Sequence, residues 1–204
     1  MSAQHLVVLV EEPSMEAFLR ALLPRLLPQD RTFEIHPFQG KSDLLGKLPA
    51  RLRGYSKWPE DWRIVVVVDR DEDDCRRLKQ HLEDIAALAG LSTRSRPKRG
   101  VWQLVNRIAI EELEAWYFGD WDGVRAAYPD VPDSVPRKSG FRDSDAISGG
   151  TWEAFERVLG KHGYFEGGLR KIEAARVIGA KLKPQRCVSH SFTVFRDAVL
   201  EATG

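Results

Sequence analysis

Four aspartates and one glutamate lie within six consecutive positions, directly after a run of β-branched residues. The acidic stretch is Asp69-Arg70-Asp71-Glu72-Asp73-Asp74, and Ile64-Val65-Val66-Val67-Val68 precedes it. The carboxylates of an Asp-x-Asp pair such as Asp69 and Asp71 repel each other unless a cation or a proton lies between them. Hard oxygen ligands of this kind select Mg²⁺ or Mn²⁺. The pattern predicts a metal site. The alternative is that the acids cap a helix that begins near Glu72.

Another carboxylate follows another apolar run. The run His5-Leu6-Val7-Val8-Leu9-Val10 ends at Glu11, as residues 64–68 end at Asp69. Uninterrupted apolar runs are typical of strands buried on both faces of a parallel sheet. Carboxyl ends of parallel strands meet at one edge, where ligands bind. We therefore expect Glu11, Asp69 and Asp71 to lie within reach of one common cation, although Glu11 and Glu12 can also complement the start of the following helix.

Strands and helices alternate along the first half of the chain. We predict strands at 5–10, 32–38, 64–68 and 101–110, and helices at 13–28, 41–52, 72–90 and 111–118. This alternation predicts an α/β fold in which right-handed βαβ connections build a mostly parallel central sheet flanked by helices.

Glu114 lies at the margin of the apolar face of the predicted helix 111–118. That face consists of Ile110, Leu113 and Tyr117, and Glu111 lies one turn earlier on the same side. A carboxylate in this position is either a hydrogen-bonded structural residue or an acid of the site. Both interpretations stay open at this point.

Several cations could face an anionic ligand. Gly40-Lys41-Ser42 resembles the end of a phosphate-binding loop, but Ile35 occupies the position of its first glycine, which excludes that motif. Lys41 is then either a phosphate contact or a solvated lysine at a helix start. The run from Arg94 to Arg99 is either a solvated loop or a polyanion contact, and the basic C-terminal segment around Arg170 and Lys171 has the same two interpretations.

Composition divides the chain into three segments. We predict an α/β core over 1–119, a loop or lid over 120–150 with at most one short helix, and a helical C-terminal extension over 151–204 packed on the core. The middle segment is rich in Pro, Gly and Asp, including Pro129, Pro132 and Pro136. The extension contains three predicted helices, at 152–159, 168–181 and 192–202.

The overall composition is that of an ordinary globular protein. Of the 204 residues 30% are charged and 43% apolar, and the formal net charge of +1 provides no global field toward nucleic acid. Cys75 and Cys187 make no disulfide framework. We find no signal peptide and no apolar run of membrane-spanning length, so we expect a soluble, cytoplasmic protein without a membrane partner.

The motifs together resemble known families. A strand that ends in Glu11, followed by a helix and later by a strand that ends in Asp69-x-Asp71, resembles the Toprim fold of topoisomerases, primases and OLD-type nucleases. The finer pattern resembles the domain-of-unknown-function family 4276 over nearly the whole chain. It comprises residues 10–19, 68–73, 110–116 and 150–153, with Lys171 and Ser191-Phe192.

The resemblance implies a Toprim/Rossmann-like fold with a Mg²⁺ (or Mn²⁺) site. It assigns Glu11, Asp69 and Asp71 to the metal and to catalysis. Glu12 stands where the usual glycine would be and Met15 where a second acid is frequent, so Glu12 or Glu114 can complete the ligand set. Lys171 would stabilise charge that develops on a phosphate.

The function that the resemblance implies is a Mg²⁺-dependent phosphodiester hydrolase, a Toprim-type nuclease acting on nucleic acid. It can work beside a separately encoded ATPase of a defence system, because this chain has no phosphate-binding loop of its own with which to bind ATP. The alternative is a non-catalytic Toprim-like scaffold that binds an ATPase partner or nucleic acid, which the residues at 12 and 15 favour. None of the tyrosines near the acids suggests the covalent nucleophile of a topoisomerase, so we expect hydrolysis and not strand passage. A phospho-receiver is excluded because Lys183-Pro184 lies too far from Asp69.

Overall fold

A four-stranded parallel sheet forms the centre of the computed structural model, which describes residues 3–204. The strands are β1 (His5–Val10), β2 (Thr32–Pro37), β3 (Trp62–Asp69) and β4 (Leu104–Ala109). They lie in the order β2-β1-β3-β4, and all three pairings are parallel. The two apolar runs of the sequence therefore occupy the two interior strands, as their composition predicts.

Helices cover both faces of the sheet. Helices α1 (Pro13–Leu26), α2 (Lys41–Tyr55) and α3 (Cys75–Leu88) follow the first three strands. Successive residues of a strand point to opposite faces. Val8 and Val10 accordingly join the apolar cluster under α1, whereas Val7 and Leu9 join the cluster under α2 and α3. The predicted α/β fold is confirmed.

The acidic stretch is a loop, and α3 begins after it. Asp74 is the N-cap of α3, because its side chain accepts a hydrogen bond from the backbone N–H of Arg77 at 2.8 Å. The prediction of a helix start near Glu72 was therefore wrong by three residues. One aspartate serves as the cap, which leaves Asp69 and Asp71 without a capping role.

The segment after β4 differs from its prediction. Helix α4 (Glu114–Gly119) begins at Glu114, and Glu111 lies before it with a φ of +59°. Glu111 adopts this left-handed conformation where its carbonyl accepts a hydrogen bond from the N–H of Asp71 at 2.9 Å. Glu111 is therefore not one helical turn before Glu114, and the expected shared helix face does not exist.

The C-terminal half packs against α1 and the sheet. It contains α5 (Trp121–Ala127), α6 (Thr151–Gly160), α7 (Lys171–Lys181), α8 (His190–Thr203) and two short 3-10 turns at Val135–Arg137 and Ser139–Phe141. One apolar cluster includes side chains from all three predicted segments, for example Val10, Val131 and Phe192. The division at 119 and 150 stays a prediction. Among residues 3–204, no helix is long and apolar enough to cross a membrane.

Candidate metal centre

Glu11 and Asp69 meet at the carboxyl edge of the sheet. Val10 pairs with Val67 in the β1–β3 register, so both strands deliver their acids to the same edge. The carboxylate Oε2 of Glu11 accepts a hydrogen bond from the backbone N–H of Asp69 at 3.1 Å. The expectation that the two acids share an edge is confirmed.

Burial gives both carboxylates unusual electrostatics. Asp69 is 7% exposed, and its Oδ1 atom has no hydrogen-bond partner among the described residues. Burial, reinforced by the charges of Glu11 and Glu12, raises the pKa of Asp69 well above its usual range. Burial likewise raises the pKa of Glu11 to about 7. Close, desolvated carboxylates of this kind are stabilised by a bound cation or by a proton.

Glu114 is a third buried acid on this side of the sheet. It lies at the start of α4 and is 2% exposed, and burial raises its pKa to about 7. Its charge also contributes to the raised pKa of Asp69. Glu114 is therefore a desolvated acid within the electrostatic reach of the Asp69 carboxylate.

Tyr117 lies closer to the acids than the sequence indicated. Burial, followed by the charges of Glu114, Glu12 and Asp69, raises the pKa of its phenol well above the usual range. The hydroxyl is buried without a hydrogen-bond partner among the described residues, and Tyr117 is 1% exposed. A phenol so buried has no access to a phosphodiester in solvent, so it provides no topoisomerase nucleophile in this conformation.

Asp71 is held by a lysine. The Lys41 Nζ atom donates to Asp71 Oδ2 at 2.6 Å, to Asp73 Oδ2 at 2.7 Å and to the carbonyl of Arg70 at 3.1 Å. Asp71 has a φ of +49°, an uncommon conformation for a non-glycine residue. Lys41 follows β2, so its helix start lies at the same edge of the sheet as the acids.

Lys41 is the residue of this site that sequence reasoning underestimated. The available signal was its position directly after a strand predicted to be parallel to the other two. Its alternative interpretation, a freely solvated lysine, is excluded by the contacts with Asp71 and Asp73 and by a side chain only 16% exposed.

The acids do not form a complete metal-binding site in this conformation. Among residues 3–204, no three His, Cys, Asp or Glu side chains are close enough together to enclose a metal ion as they stand. The expectation that Glu11, Asp69 and Asp71 already lie within reach of one cation is therefore wrong for this conformation. The physical reason is the ammonium of Lys41, which holds the Asp71 carboxylate. The donor chemistry still suits a hard cation, because Glu11, Asp69 and Glu114 are desolvated carboxylates and Asp69 Oδ1 is unpartnered.

Glu12, the residue that could replace a missing ligand, has a local partner. Its carboxylate accepts a hydrogen bond from the hydroxyl of Ser14 in the first turn of α1. Glu12 occupies the N-cap position of α1, but its side chain accepts no capping hydrogen bond from a backbone N–H. Its charge nevertheless contributes to the raised pKa of Asp69.

Lys171 lies beside the acids, at the start of α7. Its Nζ atom is 4.9 Å from the centroid of the Trp152 ring. Burial acts to lower the pKa of Lys171, but the charges of Glu114 and Glu12 outweigh it and raise the pKa above its usual range. Within the described residues, Lys171 makes no ion pair at contact distance, so its ammonium is available to an anionic ligand.

The other basic run is far from the acids. The backbone N–H of Arg94 donates to the carbonyl of Leu104 at 2.8 Å, and Leu104 is the first residue of β4. Asp69 pairs with Ala109, the last residue of that strand. The segment from Arg94 to Arg99 thus lies toward the amino edge of the sheet. Of the two basic groups in the sequence, only the one that contains Lys171 lies beside the acids.

The fold and the site define an α/β protein with acidic residues at the carboxyl edge of a parallel sheet. A family model described as a domain of unknown function, DUF4276, matches residues 10–200, and the chain belongs to this family. No curated protein gives a significant match.

Two solved structures resemble the chain over nearly its whole length. One is the C-terminal region of the Xanthomonas campestris pv. campestris OLD protein, with 15% identity, 98% of this chain and 97% of that chain covered, and a TM-score of 0.47. The other is the C-terminal region of the Burkholderia pseudomallei OLD protein, with 17% identity, 98% and 100% coverage, and a TM-score of 0.49.

Proposed function

We propose that this protein is a Mg²⁺-dependent (or Mn²⁺-dependent) phosphodiester hydrolase of the Toprim type that acts on nucleic acid. The observation that carries the proposal is the contact between Glu11 and Asp69 at the carboxyl edge of the sheet, where Asp69 Oδ1 has no partner among the described residues. Burying two acids side by side is unfavourable without a compensating cation or proton. A ligand site explains why the chain retains this arrangement.

Each side chain has a distinct role in the proposed reaction. Glu11, Asp69 and Glu114 would hold the ion after their carboxylates move closer together than they are in this conformation, and Asp71 would join them after exchanging its contact with Lys41. A bound divalent cation supplies charge neutralisation of the phosphate and acidification of a bound water. Without an ion, burial raises the pKa of Glu11 to about 7, so near neutral pH the cation would bind to Glu11 in exchange for a proton.

A cationic surface beside the acids supports nucleic acid as the substrate. Two adjoining cavities of about 520 and 630 Å³ lie along α7, and both are lined by Ile172 and Arg176. The first also borders α1 at Arg20 and Glu16, and the second contains Arg170, Lys171 and Glu173. Arg20 pairs with Glu16 and Arg170 pairs with Glu173, so Lys171 and Arg176 carry the excess positive charge. We propose that this groove binds the phosphate backbone next to the metal centre, because cations placed along a groove bind a polyanion independently of its sequence.

A non-catalytic scaffold is the second candidate. The contacts of Lys41 with Asp71 and Asp73, and of Ser14 with Glu12, satisfy three of the acids without any ion. A scaffold of this kind would bind a separately encoded ATPase or nucleic acid through the same groove. An ATPase partner is equally compatible with the hydrolase, because the chain has no phosphate-binding loop of its own.

The test is cleavage of labelled single-stranded and double-stranded DNA and RNA with Mg²⁺, with Mn²⁺ and with EDTA. We expect metal-dependent cleavage by the wild type and none by the Asp69→Asn/Asp71→Asn double variant, since amides keep the shape but lose the charge that holds the ion. Asp84→Asn/Asp133→Asn, which changes two surface aspartates in ion pairs elsewhere, is the matched control and should remain active.

Each result decides between the candidates. Cleavage that persists in the Asp69→Asn/Asp71→Asn variant would exclude this site as the source of activity. A wild type that cleaves none of the substrates and shows no Mg²⁺-induced rise in melting temperature would exclude the hydrolase and support the scaffold.

A further inference from the structure

Trp152 is a large aromatic side chain that does not belong to the core. The residue is partly exposed, and within residues 3–204 it is neither a member of the two apolar clusters nor one of the partly buried side chains packed against them. Its ring instead lies 4.9 Å from the Lys171 Nζ atom. The face of an indole ring attracts an ammonium. The main contact of this tryptophan is therefore with the cation beside the acids.

The backbone of Trp152 is fixed by Glu112. Trp152 is the second residue of α6, and the first N–H groups of a helix have no partner within it. Glu112 Oε2 accepts a hydrogen bond from the N–H of Trp152 at 3.0 Å and one from the hydroxyl of Thr151 at 3.1 Å. The preceding residue, Glu111, accepts a hydrogen bond from the N–H of Asp71. The start of α6 is therefore connected to the acidic edge of the sheet.

Helix α6 also holds the segment that leads into α7. Glu156 Oε1 accepts a hydrogen bond from the N–H of Leu169 at 2.7 Å. The N–H of Lys171 donates to the carbonyl of Leu169 at 3.1 Å. The same helix thus constrains Lys171 twice, at its backbone through Glu156 and at its ammonium through Trp152.

The ammonium of Lys171 stays unpaired although carboxylates surround it. The charges of Glu114, Glu12 and Glu112 all act on it, yet within residues 3–204 none of them forms an ion pair with Lys171 at contact distance. A lysine side chain is long and flexible, so it can turn toward a neighbouring carboxylate unless another contact competes. The ring of Trp152 supplies such a contact.

We propose that Trp152 is a positioning residue, whose ring holds the Lys171 ammonium away from the neighbouring carboxylates and ready for an anionic ligand. The inference rests on the proposed function for the identity of that ligand, a phosphate of a nucleic acid strand. Lys171 lines the cavity of about 630 Å³ along α7, through which a phosphate can approach it. Trp152 acts through Lys171 and needs no contact of its own with the substrate.

The test is a double-mutant cycle measured by binding. Fluorescence anisotropy of labelled single-stranded and double-stranded oligonucleotides gives the affinity of the full chain in EDTA, and again with Ca²⁺, which accepts the same oxygen ligands as Mg²⁺. Lys171→Met should weaken binding several-fold and lower the slope of log affinity against log salt concentration by about one, the effect of losing one phosphate contact.

Trp152→Leu should reproduce the effect of Lys171→Met in part, and Trp152→Phe should retain most of the wild-type affinity because it keeps an aromatic face. In the Lys171→Met background, Trp152→Leu should cause no further loss, since the residue through which it acts is absent. Trp58→Leu, which removes another partly exposed tryptophan from a ring cluster with Tyr55 and Trp62, is the matched control and should bind like the wild type.

Nuclear magnetic resonance reports the position of the ammonium without any ligand. The ring current of Trp152 should shift the ε-CH₂ protons of Lys171 upfield, and the signal is assigned by its absence in Lys171→Met. Trp152→Leu should return these protons to the ordinary lysine position, whereas Trp152→Phe should keep part of the shift. An unshifted signal in the wild type would overturn the inference.

The binding results have equally definite consequences. Equal affinity of Trp152→Leu and the wild type would overturn the inference, and so would a wild type that binds no oligonucleotide. A further loss on adding Trp152→Leu to Lys171→Met would show that the tryptophan acts by itself and not through the lysine. The proposed function fails separately: a wild type that follows the cycle but cleaves nothing with Mg²⁺ or Mn²⁺ would exclude the hydrolase and leave the role of Trp152 intact.

Discussion

The ammonium of Lys41 lies 2.6 Å from the Asp71 carboxylate, which is one of the two acids of the Asp-x-Asp pair. The same nitrogen contacts Asp73 at 2.7 Å. A tethered monovalent cation thus occupies the acidic loop at the place where the sequence predicts a divalent one. Because both cations are attracted by the same carboxylate, binding of one should oppose binding of the other.

Lys41→Met should therefore strengthen Mg²⁺ binding. Removing the ammonium frees Asp71 and Asp73 and increases the negative potential at the sheet edge. We expect the dissociation constant of Mg²⁺, measured by titration calorimetry, to fall by several-fold. This corresponds to a change in binding free energy on the order of 1 kcal/mol, because Lys41 no longer competes for Asp71 and Asp73 through its two ion pairs. Lys47→Met, which breaks an equally short ion pair with Asp43, is the control and should leave it unchanged. Weaker Mg²⁺ binding by Lys41→Met would show that the lysine supports the site instead.

Asp69→Asn should stabilise the metal-free protein. The substitution removes a buried carboxyl group whose ionised form is disfavoured by burial and whose Oδ1 atom has no partner within the described residues, while the side chain keeps its shape. We expect the melting temperature at pH 8 in EDTA to rise by about 2–4 °C, equivalent to about 1 kcal/mol for a chain of this size. Added Mg²⁺ should raise the melting temperature of the wild type alone. A lower melting temperature for Asp69→Asn in EDTA would indicate a structural role for the carboxylate.

Glu83 should contribute stability that is lost in acid. Burial acts to raise its pKa, but hydrogen bonds from Ser95, Thr93 and Asn106 outweigh burial and lower the pKa of Glu83 to about 2. A pKa below that of the unfolded chain means that the contribution is complete above about pH 4.5 and declines as the pH falls toward 2.

Glu83→Gln should consequently cost roughly 2 kcal/mol at pH 7, the value of a buried charge-assisted network, and much less at pH 3. Urea unfolding of the wild type and the variant at both pH values measures the difference. Glu60→Gln, at an exposed position, should match the wild type throughout. A difference that is independent of pH would show that the charge of Glu83 is not what stabilises the fold.

Gly179 permits the close packing of α7 on α1. A Cβ atom at this position would lie 2.5 Å from the carbonyl oxygen of Phe18 and 3.2 Å from Ala21 Cβ. Gly179→Ala should therefore destabilise the protein by about 1–3 kcal/mol, the usual cost of overpacking a core.

Gly46→Ala is the matched comparison. Gly46 is an exposed residue in the middle of α2, and a Cβ atom there would meet nothing within 4 Å. It should stabilise the protein by about 0.5–1 kcal/mol, since alanine is the better helix former. Chemical denaturation of the two variants provides the measurement. Equal effects of the two substitutions would exclude close helix packing as the role of Gly179.

The sequence was sufficient to predict the sheet and the edge at which the acids lie. Strands β1 and β3 are buried on both faces, so their residues must be apolar without interruption, and charge can appear only where each strand ends. Glu11 and Asp69 are the first acids after those runs, and parallel pairing brings them to one edge. Local periodicity and strand burial carry this information, which is why it can be extracted from residue order alone.

Only the tertiary structure decided how the acids are partnered. Lys41 is 30 positions from Asp71 in the chain, and the left-handed conformation of Glu111 arises where its carbonyl meets the N–H of Asp71. The burial of Tyr117 beside Glu114 likewise depends on how α4 packs. Contacts of this kind form between segments that are distant in sequence. Their geometry depends on how helices and strands pack against one another, and the local sequence pattern does not predict it.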